Sequence, residues 1–210
     1  MIRIFIFSYS GDAAEAVACV RCARMAVPCA SVTVVDDASS PVQEETAEAL
    51  RSMGAEYVQS SWERHGNLRG PDCIRGMLSE MCREAEDDDI LVKVDCDTAL
   101  LDGGWLRWME QRPWCQMYTS GDFVNGDWRV FGCLYALRGW IARRLYREMD
   151  WTLLDDRAPE DWTIGREVLA RVPAALCRID EPWRKRSPWS IWTAWCWPSR
   201  TVSAESYAAR

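Results

Sequence analysis

The sequence lacks three features that would each assign it to a familiar class of protein. Its formal net charge is −7 over 210 residues, so it has no excess of positive charge with which to follow the phosphates of a nucleic acid. No apolar run reaches the roughly 18–20 residues that a membrane-spanning helix needs. Histidine occurs once, as His65, so no more than one imidazole is available as a base or a ligand. We therefore expect neither nucleic acid as a partner nor a membrane span.

Cysteine is abundant, but its distribution does not indicate a disulfide scaffold. The ten cysteines are scattered through the predicted helices and strands, and no signal peptide is recognised before them. Cys19 and Cys22 form a C-x-x-C pair within a helical pattern, and no second pair follows at zinc spacing. Reduced, mostly buried thiols are preferred to a structural zinc or a redox role. A cytoplasmic location is the expectation.

The apolar pattern of the first hundred residues alternates between strand and helix spacing. The hydrophobic content of 49% is typical of a globular chain, and we expect one domain spanning residues 1–210. Continuous apolar strands that alternate with helices form parallel sheets covered on both faces. The fold class predicted is therefore α/β, with a mostly parallel, Rossmann-like central sheet. The strands are expected at 2–8, 31–37, 55–60 and 89–95, and the helices at 12–27, 41–54 and 70–86.

Three residues mark the predicted helix ends in this half. Asp12 is a plausible N-cap of the first helix, because aspartate at that position accepts a backbone hydrogen bond. Pro41 is expected in the first turn of the second helix, and Gly54 at its C-terminal end.

The second half departs from this alternation. The patterns at 115–120 and 127–138 favour antiparallel or hairpin-like strands, which would extend one side of the sheet. Helices are expected at 103–111, 139–149 and 158–172, and a further strand at 174–180.

Polar residues collect where the predicted parallel strands end. In open α/β sheets, ligands bind beyond the carboxyl ends of the strands, and Ser8, Asp36, Asp37, Asp95 and Asp97 all lie there. Asp95 and Asp97 would point to the same side of an extended chain, where two carboxylates repel unless a cation is near. Hard oxygen ligands favour Mg²⁺ or Mn²⁺. The alternative is a solvated strand end.

Asp36 and Asp37 have two interpretations of their own. They could accept hydrogen bonds from a ribose or a base, as acids do in dinucleotide folds, or Asp37 could merely cap the helix that follows.

The loop before the third helix is a second candidate binding segment. His65, Asn67 and Arg69 lie among glycines, and such a loop can offer backbone N–H groups and arginine to phosphates. It matches no P-loop spacing. An ordinary surface loop is the competing interpretation.

A further acidic pair stands at a predicted helix start. Glu160 or Asp161 could act as a general base towards a substrate hydroxyl. Acids are also favoured at this position by the helix dipole alone, so both interpretations stay open.

Taken in order, these segments resemble a family. The chain resembles GT-A fold glycosyltransferases over roughly residues 1–170, and is most similar to small inverting bacterial enzymes that use nucleotide-diphosphate sugars. The segments that carry the resemblance are "IFIFSYSGD", "VTVVDDASS", "HGNLRG", "ILVKVDCDT", "VFGCLYALRG" and "PEDWTIG".

The resemblance implies a role for each matching position. Asp36 and Asp37 would meet the base or ribose of the donor. Asp97, with Asp95, would hold Mn²⁺ or Mg²⁺ and the donor diphosphate. The acceptor side would then lie in the second half of the chain, where Asp161 would deprotonate the acceptor hydroxyl, with Glu160 beside it and Gly132 close to the donor sugar or the acceptor.

The resemblance also divides the chain and implies its partners. Residues 1–100 would form the nucleotide-sugar half, and residues 101–180 the acceptor and catalytic half. A UDP-sugar is the favoured donor, and the acceptor would be a glycan, a lipid-linked molecule or a small molecule. Two departures from the family are that 97–161 is a short span and that no histidine follows it as a metal ligand.

Residues 181–210 form a separate basic segment with five tryptophans. They could pack back onto the core, contact donor or acceptor by stacking on sugar rings, or touch a membrane surface. The last alternative would place a cytoplasmic protein at the inner face of the membrane.

Three other functions are compatible with the sequence. A haloacid-dehalogenase-like phosphatase also ends a strand in D-x-D, with a nucleophilic first aspartate, although that motif is expected near the start of a chain. A nucleotidyltransferase on a similar fold would carry a Gly-rich basic loop after the first strand, where this chain has only "SYSGD". A non-catalytic sugar-binding relative is the third alternative.

Overall fold

The structure is a computed structural model that describes residues 1–64, 68–124, 127–180 and 196–198. Within them, the strands are β1 (Ile2–Ser8), β2 (Ser31–Asp36), β3 (Glu56–Gln59), β4 (Ile90–Asp95), β5 (Thr98–Leu100), β6 (Met117–Val124), β7 (Asp127–Arg138), β8 (Cys177–Asp180) and β9 (Cys196–Pro198). The α-helices are α1 (Ala13–Ala26), α2 (Glu44–Ser52), α3 (Pro71–Cys82), α4 (Gly104–Glu110), α5 (Gly139–Glu148) and α6 (Glu160–Arg171).

Seven of these strands form one mixed sheet in the order β3-β2-β1-β4-β7-β6-β8. Strands β3, β2, β1 and β4 are parallel neighbours, and β8 is parallel to β6. Strand β7 runs antiparallel to both of its neighbours, β4 and β6. The α/β class with a mostly parallel sheet and an antiparallel extension is confirmed.

Strand β1 shows why the apolar runs lack alternation. Ile4 and Ile6 belong to the hydrophobic cluster on one face of the sheet, and Phe5 and Phe7 to the cluster on the other. Successive side chains of a strand point to opposite faces, so a strand covered on both sides must be apolar at every position. Helix α1 contributes Val20 and other residues to the first cluster, and helix α3 contributes residues to the second.

Two of the three predicted helix-end signals behave differently in the structure. Helix α2 begins at Glu44, so Pro41 lies before the helix and not in its first turn. Asp12 occupies the N-cap position of α1, but its side chain makes no capping hydrogen bond, because it accepts one from the Cys96 thiol instead, at 2.8 Å. Gly54 follows the end of α2 with a φ of 78°, a left-handed conformation that glycine adopts readily, as predicted.

A small second sheet lies next to the D-x-D sequence. Strand β5, which begins one residue after Asp97, pairs antiparallel with β9, so that Thr98 lies opposite Pro198 and Leu100 opposite Cys196. The sequence patterns predicted neither strand. The rest of the Trp-rich segment, and the question of what it contacts, lies outside the described residues.

Nine of the cysteines are free thiols, and Cys19 and Cys22 are buried in α1. This agrees with the expectation of reduced, mostly buried thiols. In the described part of the chain, no helix combines the length and the apolar character required to cross a bilayer.

Candidate functional site

The ends of three parallel strands lie side by side at one edge of the sheet. In the strand register, Ser8 of β1 is opposite Asp36 of β2, and Phe7 of β1 is opposite Asp95 of β4. The polar residues that the sequence places after separate apolar runs therefore share the carboxyl edge of the sheet. This is the position at which α/β sheets bind ligands.

Asp36 uses its carboxylate to hold this edge together. It is fully buried, and it accepts hydrogen bonds from the Ser8 hydroxyl at 2.8 Å, the Val42 amide at 2.8 Å and the Tyr57 hydroxyl at 2.6 Å. Both carboxylate oxygens thus bind groups of the chain itself. Ser8 and Asp36 are brought together as expected, and their contacts shape the loop after β2.

Asp37 and Arg64 form the next layer of this edge. One Asp37 oxygen accepts hydrogen bonds from the backbone amide and the hydroxyl of Ser39, at 3.0 and 2.9 Å. Arg64 is 7% exposed, and its guanidinium donates to the Phe7 carbonyl at 2.9 Å and lies 3.8 Å from an Asp12 oxygen. Its buried Nε has no acceptor among the described residues. A buried cation therefore lies between the ends of β1 and β2 and the start of α1.

Asp95 is paired with a second buried cation. Lys93 precedes it by two residues on the same face of β4, and its ammonium donates to an Asp95 oxygen at 2.6 Å. Lys93 is 1% exposed, whereas the Asp95 side chain is 26% exposed. Of this ion pair, the Asp95 carboxylate is thus the partner that solvent can reach. Burial alone would lower the pKa of Lys93, but Asp95 and Glu160 raise it overall, so the ammonium stays charged.

The same ammonium also faces the start of α6. It donates to the Gly132 carbonyl of β7, and it lies 3.7 Å from Oε2 of Glu160. Oε1 of Glu160 is buried without a hydrogen-bond partner among the described residues. Burial raises the pKa of Glu160 to about 7, although Lys93 opposes the shift. Lys93 therefore joins the Asp95 and Glu160 regions, which the sequence separates by 65 residues.

Gly132 lies tightly against the two acids of α6. A Cβ atom at this position would come within 3.0 Å of Glu160 Oε2 and 3.2 Å of Asp161 Cβ. Glycine therefore allows β7 and the first turn of α6 to approach each other closely. Asp161 itself is half-buried, and one of its oxygens accepts a hydrogen bond from the Trp162 amide at 2.9 Å. Of the two acids, Asp161 is the one that solvent or a substrate reaches more readily.

Asp97 follows in a turn and not in an extended strand. Strand β4 ends at Asp95, and Cys96 and Asp97 form the turn that leads into β5. The predicted strand alternation therefore holds up to Asp95 and was wrong for Asp97. Both aspartates still act on one buried atom: burial, with Cys22, Asp97 and Asp95, raises the pKa of the Cys19 thiol. Both aspartates are half-buried.

The loop before α3 is attached directly to the start of α6. The Gly70 amide donates to the Ala158 carbonyl at 3.0 Å, and the Glu160 amide donates to the Leu68 carbonyl at 3.1 Å. Arg69 is exposed and forms a bridge with Pro159. The structure thereby brings this predicted binding segment next to the acidic pair. His65 and Asn67 lie outside the described residues.

The residues present offer a divalent ion two carboxylates, those of Asp95 and Asp97. Among the described residues, no group of three or more histidine, cysteine or acidic side chains is placed to hold a metal. Mg²⁺ and Mn²⁺ commonly bind to one or two carboxylates together with substrate phosphates. Asp95 and Asp97 would supply two carboxylates to such a site, in which a bound diphosphate would complete the coordination.

Lys93, Arg64 and Tyr135 are members of the site that were not predicted from the sequence. Tyr135 of β7 lies with its ring centroid 5.9 Å from the Lys93 ammonium. A signal was available for Lys93, because it is a charged residue within an otherwise apolar strand and is two positions from an aspartate. Arg64 and Tyr135 offer no such local signal, because what makes them part of the site is burial against distant strands.

The pKa of Glu160 leads to a prediction about stability. The carboxyl group ionises near pH 4.5 in the unfolded chain and near pH 7 in the folded one, so between these values the folded state binds more protons. The free energy of unfolding should then fall as pH rises through this range, by about 1.4 kcal/mol per unit of pKa difference. Glu160→Gln should remove this contribution, which urea unfolding across the range would measure.

The control for this experiment is Glu45→Gln. Glu45 is also in the first turn of a helix, α2, but it is exposed, so its variant should keep the wild-type slope. A Glu160→Gln variant with an unchanged slope would contradict the prediction.

Comparison with known proteins supplies a fold and no closer relative. Neither a model of a known protein family nor a curated protein sequence matches the chain. The galactosyltransferase LgtC in complex with donor and acceptor sugar analogs has a TM-score of 0.52 and 14% identity, over 78% of this chain and 70% of that one. S. aureus TarS 1–349 has a TM-score of 0.56 and 13% identity, over 86% of this chain and 57% of that one. The mannosyltransferase PcManGT from Pyrobaculum calidifontis, in complex with GDP-Man and Mn²⁺, has a TM-score of 0.54 and 14% identity, over 88% of this chain and 58% of that one.

The chain therefore has the GT-A fold, as its sequence segments indicated. At these levels of identity the similarity concerns the fold, and any activity has to be argued from the site.

Proposed function

We propose that the protein is a glycosyltransferase that moves a sugar from a nucleotide-diphosphate sugar to an acceptor hydroxyl, with inversion at the sugar carbon. The observation that carries the proposal is the meeting of two acidic segments at the carboxyl edge of a GT-A sheet. Lys93 contacts Asp95 of the D-x-D turn at 2.6 Å and lies 3.7 Å from Glu160 at the start of α6. A donor held by the first segment would lie beside a base in the second.

On the donor side, the proposed work is binding and orientation. Asp37 and the loop after β2 would receive the nucleoside, and Asp36 and Ser8 would hold that loop in shape through their mutual hydrogen bond. His65, Asn67 and Arg69 would contribute to the phosphate-facing loop. The assignments of Ser8, Asp36 and Asp37 follow from position at the carboxyl edge and from the resemblance to the family. Those of His65, Asn67 and Arg69 follow from the sequence of the loop and from the resemblance.

A divalent ion would be held by Asp95 and Asp97, with Mn²⁺ and Mg²⁺ as the candidates. When bound, such an ion neutralises charge on the leaving diphosphate. The mannosyltransferase solved with GDP-Man and Mn²⁺ supports this assignment by analogy of fold. Asp95 and Asp97 would themselves do no more than present carboxylate oxygens at the turn after β4.

On the acceptor side, Asp161 would accept the proton of the attacking hydroxyl. It is half-buried next to Gly132, whose lack of a side chain lets β7 approach the start of α6. Gly132 would lie close to the donor sugar or the acceptor. Glu160 is more deeply buried and faces Lys93, so it would support the site from behind. A single base on the face opposite the leaving group is the requirement of an inverting transfer.

A UDP-sugar is the proposed donor, and a glycan, a lipid-linked molecule or a small molecule the proposed acceptor. For the basic Trp-rich segment, we favour packing on the rest of the protein over contact with substrate or with a membrane surface. The pairing of β9 with β5 beside the D-x-D turn supports this order. A cytoplasmic location is proposed with the same function.

A thermal-shift screen tests the proposed function directly. UDP-, GDP-, CMP- and dTDP-sugars would each be added with and without Mn²⁺. A ligand present at 100 times its dissociation constant stabilises the folded state by about 2.7 kcal/mol, which raises the melting temperature measurably. We expect one nucleotide class to stabilise the protein, and more strongly with Mn²⁺.

Nucleoside triphosphates and simple phosphate monoesters serve as comparison ligands in the same screen. Stabilisation by a triphosphate alone would favour a nucleotidyltransferase, and turnover of a phosphate monoester would favour a phosphatase. Stabilisation by nucleotide sugars without any transfer to a panel of acceptors would favour a non-catalytic relative.

A further inference from the structure

Lysine is rare in this chain, and one of the few lysines is buried. The 210 residues include two lysines, Lys93 and Lys185, and Lys93 is 1% exposed. Taking an ammonium group out of water costs several kcal/mol unless close partners compensate. A lysine in the middle of the apolar strand β4 therefore requires an explanation from its partners.

Those partners come from three separate elements. An ammonium carries three donors, and three acceptors surround this one. They are the Asp95 carboxylate at 2.6 Å, the Gly132 carbonyl of β7, and Glu160 Oε2 at 3.7 Å. The first distance is a short charge-assisted hydrogen bond, and the last is an ion pair beyond hydrogen-bond length. Lys93 thus contacts both Asp95, at the end of β4, and Glu160, at the start of α6.

Stability alone is a weak reason for this arrangement. Replacing a buried ion pair by apolar side chains of similar volume is often neutral or stabilising, and the four residues of β4 other than Lys93 and Asp95 are already apolar. What an apolar side chain could not do is fix the direction of the Asp95 carboxylate relative to the acids of α6. Small errors in such relative positions have large effects on rate, of about 100-fold for a displacement of 1 Å.

We infer that Lys93 is a positioning residue, whose ammonium sets the donor-side carboxylate of Asp95 and the acceptor-side start of α6 in one geometry. This inference rests on the proposed function. Lys93 itself touches neither substrate, because it lies beneath Asp95 and behind Gly132.

The first experiment replaces the ammonium by a methyl group in a side chain of similar length. For Lys93→Met we expect kcat to fall by about 100-fold while the KM for the donor stays within about threefold. The reason is that the loss concerns alignment in the transition state and not the binding of either substrate. Equal kcat values for the variant and the wild type would overturn the inference.

A second variant separates positioning from simple neutralisation of charge. Lys93→Met leaves the buried Glu160 without a cation, so the double variant with Glu160→Gln should recover the melting temperature of Glu160→Gln alone. We expect its kcat to remain below that of Glu160→Gln by the same factor of about 100. If the double variant matches Glu160→Gln in kcat, Lys93 only compensates charge and the inference is wrong.

A spectroscopic measurement tests the contacts without any activity. When the protein is labelled with ¹⁵N-lysine, its NMR spectrum contains two lysine side-chain signals, one from Lys93 and one from Lys185. The signal that is lost in Lys93→Met belongs to Lys93. We expect this signal to shift in Asp95→Asn and again in Glu160→Gln, and to be unaffected by Glu45→Gln. A signal that ignores both Asp95 and Glu160 would contradict the proposed contacts.

The two levels of the proposal fail in different ways. If the wild-type protein binds no nucleotide sugar, the proposed function fails even if the Lys93 signal responds to both acids. If the wild-type protein transfers sugar and Lys93→Met transfers it equally well, the proposed function stands and the positioning role alone is rejected.

Discussion

Asp161→Asn is expected to reduce sugar transfer by roughly 10²- to 10⁴-fold, the usual contribution of a general base. Asparagine has nearly the same shape as aspartate but cannot accept the proton of the acceptor hydroxyl. The hydrogen bond from the Trp162 amide to Asp161 can be kept by the amide oxygen of asparagine. The start of α6 should therefore stay in place, and the binding of the donor should be unchanged.

The alternative base is Glu160, and exposure decides between the two. The Glu160 side chain is 5% exposed and faces Lys93, whereas Asp161 is half-buried and adjoins Gly132. An acceptor hydroxyl can approach Asp161 without displacing the Lys93 contact. A pKa near 7 would suit Glu160 for proton transfer, but its carboxyl group is less accessible.

The measurement is single-turnover transfer together with a donor-binding isotherm for each variant. Retained donor binding with lost transfer would support Asp161 as the base. If donor affinity fell by the same factor as transfer, Asp161 would be a residue that positions the donor. Transfer that is lost in Glu160→Gln and retained in Asp161→Asn would reverse the assignment of the two acids.

The second large effect is expected for Asp97→Asn, which should remove both transfer and Mn²⁺-dependent nucleotide binding. In the proposed site two carboxylates, those of Asp95 and Asp97, would bind the divalent ion, so removing one would take away half of the charged ligands from the protein. Metal stabilisation of a leaving group is worth several kcal/mol, and each 1.36 kcal/mol is tenfold in rate. A loss of about 1,000-fold in transfer is therefore the expectation.

Asp97 is a cleaner probe of metal binding than Asp95. Asp95 pairs with Lys93 at 2.6 Å, so its replacement would also disturb the buried ammonium. The matched control is Asp88→Asn, because Asp88 is exposed at the opposite end of β4 and its variant should keep full activity. Isothermal titration of Mn²⁺ with the nucleotide would measure the effect. Unchanged Mn²⁺-dependent binding in Asp97→Asn would refute the metal assignment.

The sheet could be predicted because its information is local. Alternate residues of β1 enter the hydrophobic clusters on opposite faces of the sheet, so residues 4–7 are apolar without a break and the strand is recognised from its own composition. The same is true of the carboxyl edge. Parallel strands end on one side, so Ser8, Asp36 and Asp95 could be placed together without knowledge of any contact between them.

The details of the site could not be predicted because they depend on distant partners. The sequence around Asp36 would look the same whether its carboxylate binds a ligand or another residue. In the structure, the carboxylate accepts a hydrogen bond from the Tyr57 hydroxyl at 2.6 Å. Asp12 lies where an N-cap is expected, but its carboxylate accepts a hydrogen bond from the thiol of Cys96, which is distant in sequence. Residues that would decide between such interpretations are far away in sequence and close in space.

The pairing of β5 with β9 has a consequence for the protein during its synthesis. Thr98 lies opposite Pro198, so the strand that follows Asp97 obtains its partner only after about 100 more residues have been added. At roughly 5–20 residues per second, this takes about 5–20 s. Throughout that interval β5 lacks β9, the strand with which it pairs. An unpaired strand can form hydrogen bonds with strands of other chains. The residues that would bind the donor are therefore made before the strand that pairs with their neighbour β5, by about 100 residues.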